Sequence, residues 1–298
     1  AGCSHFLEHL LFKGTGKRSA RDIAEALDAV GGEMNAFTGK ELTCFYIRVL
    51  DRDLALAFDV LADMLVDASN AAVDVDAERH VVLSEIDLHQ DSPDELAHTD
   101  LAETLLGGHP LAREILGKST SIQGMDRETI HRFYLDRYRP ANLVIAAAGN
   151  VEHDTLVVLA DELLGDLGRP GGQRPRRRPP ERFTERQVSV RHRPTEQAHV
   201  VIGGPGLAQD DEDRWALRVL NTALGGGMSS RLFQQIREER GLAYTAYSHA
   251  SMYTDTGMFE AYVGTSPGKL DEVLTVLRGE LDRIVEDLTR DEVERAKG

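Results

Sequence analysis

The stretch from 168 to 183, Gly-Arg-Pro-Gly-Gly-Gln-Arg-Pro-Arg-Arg-Arg-Pro-Pro-Glu-Arg-Phe, most constrains what this chain of 298 residues can fold into. Apart from its prolines it offers one apolar side chain, Phe183, so no hydrophobic core can run through it. Proline and repeated positive charge keep such a stretch extended, which makes it a solvated linker in preference to an arm for polyanions. The chain is therefore expected to divide into one domain at 1–167 and a second at 184–298. With 41% hydrophobic and 28% charged residues, it carries enough apolar side chain for two cores.

The order of elements on the two sides of the linker is similar. Apolar spacing predicts a helix opening near residue 4, and β-rich runs around Gly39-Lys40 predict a hairpin at 33–50. A helix at 51–68 follows, with Leu54, Phe58, Leu61 and Leu65 at helical spacing. Helices are expected at 74–90, 94–106, 126–137 and 153–167, with an apolar strand at 142–148. Beyond the linker come a helical pair at 211–239, a hairpin at 243–264 and a helix carrying Leu270, Val273, Val276, Leu277 and Leu281. Residues 289–297 resemble the start of the helix at 74. This repeat of pattern implies an ancestral duplication, an α+β fold of two homologous domains, and a fragment truncated at both ends.

The chemistry is concentrated in His5-Phe6-Leu7-Glu8-His9. At about 100° per residue, His9 lies about 40° from His5 on a helix and Glu8 about 60° from it on the other side. Two neutral imidazoles one turn apart can reach one divalent ion, and a carboxylate in the same arc can take a proton from water beside that ion. The order is the inverse of the commoner His-Glu-x-x-His. A solvated amphipathic helix with incidental histidines explains these residues alone, with Phe6, Leu10 and Leu11 as its apolar side. Cys3 points about 200° away from His5, which argues against its joining as a ligand.

A catalytic zinc usually has three protein ligands. The helix at 74–90 offers Glu85, whose neighbours Val81, Val82 and Leu88 place it on an apolar face, with Glu78 one heptad earlier on the same line. A carboxylate there must be paired or bind a cation. An ion pair with Lys or Arg accounts for it as well as metal ligation does. His80 and His89 read as surface residues.

Further blocks stand in order along the chain: Glu78-Arg-His-Val-Val-Leu-Ser-Glu85-Ile, Tyr138-Arg-Pro-Ala-Asn142 leading to Gly149-Asn150-Val151, Gly225-Gly-Gly-Met-Ser-Ser-Arg-Leu-Phe233, and Arg237-Glu-Glu-Arg-Gly-Leu-Ala-Tyr244. With the first motif they closely resemble the pitrilysin or insulinase (M16) family of zinc peptidases, in the bacterial branch related to mitochondrial processing peptidase. The resemblance covers essentially the whole chain. It implies two domains, each a mainly antiparallel sheet with helices packed on one face, together making half of a peptidase clamshell. It implies Zn²⁺ held by His5, His9 and Glu85, with Glu8 as general base and Glu78 orienting a ligand. Asn35 and Ala36 match the strand whose backbone pairs with substrate, and Arg237 and Tyr244 match the Arg and Tyr that face the metal from the second domain. The implied activity is that of a zinc metalloendopeptidase acting on short or unstructured peptides, working as a homodimer. The alternative within the family is a non-catalytic partner subunit, which the presence of every ligand and of Glu8 argues against.

Composition sets the remaining bounds. A net charge of −16 disfavours nucleic acid as a partner and favours basic peptides. No run of 18 apolar residues suggests a membrane span. Two cysteines, Cys3 and Cys44, cannot build a disulfide framework. The chain opens Ala-Gly-Cys-Ser, so a targeting peptide is not readable from it, and a cytoplasmic location stands as the default expectation.

Overall fold

A computed structural model of the chain describes residues 1–165, 180 and 186–298. The expected linker lies outside the described residues except for Pro180. Along the chain the elements are α1 (Cys3–Leu11), α2 (Ala20–Asp28), β1 (Glu33–Thr38), β2 (Thr43–Arg48), α3 (Leu54–Val66), α4 (Ala72–Gln90), α5 (Pro93–Leu106), α6 (Ser119–Gln123), α7 (Arg127–Arg137) and α8 (His153–Leu164). They continue as β3 (Ala198–Gly206), α9 (Arg214–Gly225), a π-helical turn (Phe233–Glu238), β4 (Ala243–Met252), β5 (Gly257–Thr265), α10 (Leu270–Asp287) and α11 (Arg290–Lys297). Packing groups them into two units: residues 1–88 with the described part of 114–177, and residues 89–113 with the described part of 178–298.

In the first unit, Phe6, Leu7, Leu10 and Leu11 of α1 are completely buried. They join a core with Ile23 and Leu27 of α2, Val60 and Met64 of α3, Val82 and Ile86 of α4, and Ile130 and Tyr134 of α7. Each such side chain withdrawn from water contributes about 1.5–3 kcal/mol. Four of them on one face fix the rotation of α1 and leave His5, Glu8 and His9 on the opposite arc. Gly2 begins the helix with φ 88°, and a Cβ there would lie 2.6 Å from Ile122 Cδ1 and 2.7 Å from the Leu116 carbonyl oxygen. Only glycine allows so close an entry. β1 and β2 pair antiparallel from Glu33 opposite Arg48 to Thr38 opposite Thr43, and Met34, Phe45 and Ile47 lie against the same core.

In the second unit the sheet order is β3-β5-β4, all antiparallel. Ala261 and Val263 of β5 pack with Ala246 of β4, Ala223 and Leu224 of α9, and Val273, Leu277 and Ile284 of α10. Side chains alternate along a strand, so Met258, Glu260 and Tyr262 point to the other face. Residues 89–113, read from the sequence as part of the first domain, pack here: Leu101, Ala102, Leu105 and Leu106 cluster with Met258 and Tyr253. His98 of α5 also places Nδ1 3.2 Å from Glu260 Oε1 and Nε2 2.9 Å from the Tyr247 hydroxyl. Both units thus run helix, hairpin, helix, and in each the hairpin leads through a 3₁₀ turn, Asp51–Asp53 or Pro267–Lys269, into the next helix. The architecture is α+β with small antiparallel sheets.

Several elements differ from the sequence expectation. Residues 143–148 form no strand; Val144 is 86% exposed, and this unit's sheet among the described residues consists of β1 and β2 alone, so that run joins no strand ladder. The helix α2 was not anticipated, although Ser19 and Asp22 form a reciprocal capping box at its start. Nor was β3, whose Gly203-Gly-Pro-Gly206 run reads as a turn. It survives as an edge strand, where a proline is tolerated, and a Cβ on Gly203 would approach Leu101 Cδ2 to 2.6 Å and the Phe259 carbonyl oxygen to 2.8 Å.

An ion-pair cluster closes the second unit. Arg231 reaches Glu292 through Nε at 2.6 Å and Nη2 at 2.9 Å, and Asp287 through Nη1 at 2.5 Å. The Arg231 bond, joined by those from Thr289, pulls the Glu292 carboxyl down to about 2. Because the folded-state value lies below the unfolded one, this carboxylate stabilises the fold above pH of about 4.5 and the contribution fades as pH falls toward about 2. Glu292→Gln is therefore expected to lower the urea midpoint at pH of about 6, with the gap to the parent narrowing as pH drops to about 2.5. A gap constant across that range would show that the pair does not couple to folding.

Candidate metal centre

One turn apart on α1, His5 and His9 hold their Nε2 atoms 3.3 Å from each other. Two nitrogens at zinc-ligand distance, in tetrahedral arrangement around one ion, lie about 3.3–3.4 Å apart. From α4, Glu85 places Oε2 3.6 Å from His5 Nε2 and Oε1 3.7 Å from His9 Nε2. Ligand atoms of the three residues all fall within 4.8 Å of one another, and no other group of His, Cys, Asp and Glu among the described residues does this.

The donor set fits a divalent ion. Glu85 Oε2 is buried and accepts no hydrogen bond. His9 Nδ1 lies 3.1 Å from Glu78 Oε2, so Nδ1 carries the hydrogen and Nε2 turns its lone pair toward His5 and Glu85. His5 lacks the equivalent support, since its Nδ1 is buried with no hydrogen-bond partner. Burial, followed by the neighbouring His9, lowers the pKa of His5 below the usual histidine value, against the opposing pull of Glu85 and Glu8. That favours the neutral imidazole, the form that ligates metal. Nitrogen and oxygen donors of this kind suit zinc.

Glu85 differs from the sequence expectation in its surroundings. Val82 is buried, but Val81 is 43% and Leu88 68% exposed. The carboxylate sits at the margin of the core, where α4 turns from buried to solvated, and not within an apolar face. Glu78, one heptad earlier, is truly buried and holds Lys13 Nζ at 2.6 Å on its other oxygen.

Glu8 occupies the same arc of α1 as the histidines. The Thr38 hydroxyl, at the end of β1, donates to Glu8 Oε2 and lies 3.2 Å from the Thr43 hydroxyl. Partly buried Tyr138 lies nearby: burial and then the Glu8 charge push its phenol well above the usual range. Lys13 and Thr38 were not singled out from the sequence. Lys13 follows His9 by one helical turn, and Thr38 shares the inward phase of β1 with Met34 and Ala36, so both signals were present.

Asn35 and Ala36 lie on β1 opposite Tyr46 and Phe45. The Asn35 side-chain oxygen accepts from the Ala36 N–H at 2.8 Å. The other edge of β1 pairs with no strand among the described residues. Arg237 and Tyr244 belong to the second unit, which brings them together: the Arg237 guanidinium stacks 4.2 Å from the Tyr244 ring centre and 4.7 Å from that of Phe233. The Tyr244 side chain is otherwise open to solvent, 74% exposed. Cys3 and Cys44 are free thiols, and burial raises the Cys3 pKa to about 11.

Comparison with known proteins places the chain in a family. Residues 1–119 match the family model described as insulinase (peptidase family M16), and residues 124–298 match the one described as peptidase M16 inactive domain. A Streptomyces coelicolor protein called an uncharacterized zinc protease is 50% identical over the whole chain, which covers 66% of that relative. Proteins of the same description from Mycobacterium tuberculosis and Bacillus subtilis are 46% and 39% identical, the chain covering 69% and 72% of them. The chain thus spans about two thirds of the length of these curated relatives. In fold, it resembles a Helicobacter pylori protease (TM-score 0.91, 23% identity, all of this chain and 73% of that one) and a peptidase M16 inactive domain from Pseudomonas fluorescens (0.89, 21%, 99% and 72%). This chain belongs to the insulinase family of peptidases, M16.

Proposed function

We propose that this chain is the zinc-binding portion of a metalloendopeptidase that cuts short or unstructured peptides. The observation that carries the reading is the convergence of His5 Nε2, His9 Nε2 and the Glu85 carboxylate, with Glu8 on the same arc of α1. Zinc held by those three residues would supply the Lewis acidity that activates water and polarises a peptide carbonyl.

The chain's own residues divide the remaining work. Glu8 takes the proton from the attacking water and passes it to the leaving amine, while the Thr38 hydroxyl fixes one of its oxygens. Glu78 holds the Nδ1–H of His9 and so keeps Nε2 aimed at the ion. The open edge of β1 at Asn35 and Ala36 takes the substrate backbone as an added strand. Tyr244 and Arg237 supply a hydroxyl and a guanidinium for the developing oxyanion. The acidic balance of the chain favours basic, extended peptides. Two copies form the working enzyme, with Arg237 and Tyr244 of one copy serving the metal of the other.

Hydrolysis of an unstructured peptide that stops with a chelator and returns with Zn²⁺ is expected; no hydrolysis by the zinc-loaded protein would favour a non-catalytic subunit. Glu8→Gln should retain stoichiometric zinc and lose about 10²–10⁴ in kcat, and near-parental turnover would remove Glu8 from the reaction. Glu78→Gln should weaken zinc binding by about 10–100-fold in competition with a chromophoric chelator; unchanged affinity would dissociate Glu78 from the site. Activity should reappear when Glu8→Gln and Tyr244→Phe proteins are co-refolded, and its absence, with both variants folded and dimeric, would count against a site shared between copies.

A further inference from the structure

Lys13 stands outside the set of metal ligands and outside the acid-base chemistry, yet it makes a close contact with a carboxylate that supports a ligand. It follows the last turn of α1, its backbone N–H donating to the Leu10 carbonyl at 3.1 Å, and its ammonium lies 2.6 Å from Glu78 Oε1. The other oxygen of that carboxylate, Oε2, lies 3.1 Å from His9 Nδ1. Glu78 is 6% exposed. A carboxylate so withdrawn from water needs compensation, and Lys13 is the one cation paired with it among the described ion pairs.

We infer that Lys13 is a positioning residue for the metal centre: by holding one oxygen of the buried Glu78, it turns the other onto His9 Nδ1 and thereby sets the direction of the Nε2 lone pair. The inference rests on the zinc reading above but concerns affinity for the ion, not turnover. The chain of contacts is short and each link has a separate client. Lys13 holds Glu78 Oε1, Glu78 Oε2 holds His9 Nδ1, and His9 Nε2 lies 3.3 Å from His5 Nε2. Without Lys13 the Glu78 carboxylate has no fixed orientation, and both it and His9 can rotate away.

This reading and simple electrostatics predict opposite signs. Removing a positive charge near a dication strengthens binding if charge repulsion is what Lys13 contributes. Removing a positioning residue weakens it. The test is zinc affinity of the whole chain, measured by competition with a chromophoric chelator without peptide present, for the parent, Lys13→Met, Lys13→Gln, Lys13→Arg, Glu78→Gln and the double variant Lys13→Met with Glu78→Gln. Far-UV circular dichroism of the apo proteins reports folding, and the Met and Gln variants serve as alternatives to each other.

Expected are a roughly tenfold loss of affinity in Lys13→Met or Lys13→Gln, comparable to loss of other outer partners of metal ligands, and recovery to within about twofold of the parent in Lys13→Arg, which keeps the charge and a donor. In the Glu78→Gln background the further change from Lys13→Met should be less than about twofold, since the contact it removes is already gone. Unchanged or tighter binding in folded Lys13→Met or Lys13→Gln overturns the inference, as does an equal loss with or without Glu78. If the parent itself binds no zinc, both this inference and the peptidase reading fall; if the parent binds and only the Lys13 variants behave as parent, the inference alone falls.

Discussion

Everything at the candidate centre depends on the burial of one face of α1. Phe6, Leu7, Leu10 and Leu11 are wholly withdrawn from water, among side chains from α2, α3, α4 and α7. That packing leaves the helix one orientation about its own axis. The residues between, His5, Glu8 and His9, must then share the opposite arc, where α4 and β1 supply what they meet. Because α4 docks on the same core through Val82 and Ile86, the position of Glu85 follows from the same contacts that aim the histidines.

Around the three convergent residues the polar groups are arranged by single purposes. Glu78 satisfies a ring nitrogen with one oxygen and an ammonium with the other. Thr38 occupies one oxygen of Glu8. By contrast, His5 Nδ1 and Glu85 Oε2 are buried without hydrogen-bond partners. Buried polar atoms are seldom left so, and here both belong to residues that converge on the same point. The second unit differs: Arg237 lies across two aromatic rings, and Tyr244 beside it stays open to solvent.

The sequence made much of this legible because the relevant signals are local. A five-residue motif on an amphipathic helix needs nothing beyond 3.6 residues per turn, and the hairpins at 33–48 and 243–265 announce themselves through β-rich runs around glycine or a short turn. Glu85 was legible as a special carboxylate, though for a flawed reason, since Val81 and Leu88 prove to be exposed. Apart from α2, whose capping box is a local signal, the elements that differ depend on partners distant in sequence. The apolar run after Asn142 has the composition of a strand, but strand formation needs a neighbouring backbone. β3 has the composition of a turn, yet an edge position and the approach of Leu101 turn its glycines into an asset. The grouping of 89–113 with the second unit follows from Met258 and Glu260 receiving α5, a contact that no periodicity reports. Lys13 and Thr38 carry the phase of the helix and the strand in the sequence, but each matters only through the distant carboxylate it touches.

The ligand set has a mechanical side. Two of its members sit near the beginning of the chain, and the third follows His5 by 80 residues, at the far end of a path through α2, the β-ribbon and α3. An ion gripped by all three, as proposed, would act as a clasp on that long loop, tying α4 to α1 at the edge where α4 turns from core to solvent. Anything bound only by the native chain shifts the folding equilibrium in its favour, so occupancy and the seating of α4 become one equilibrium seen from two sides. Starving such a protein of its ion would then loosen a helix as well as silence a site, and proteolytic nicking near α4 would be an early sign of it.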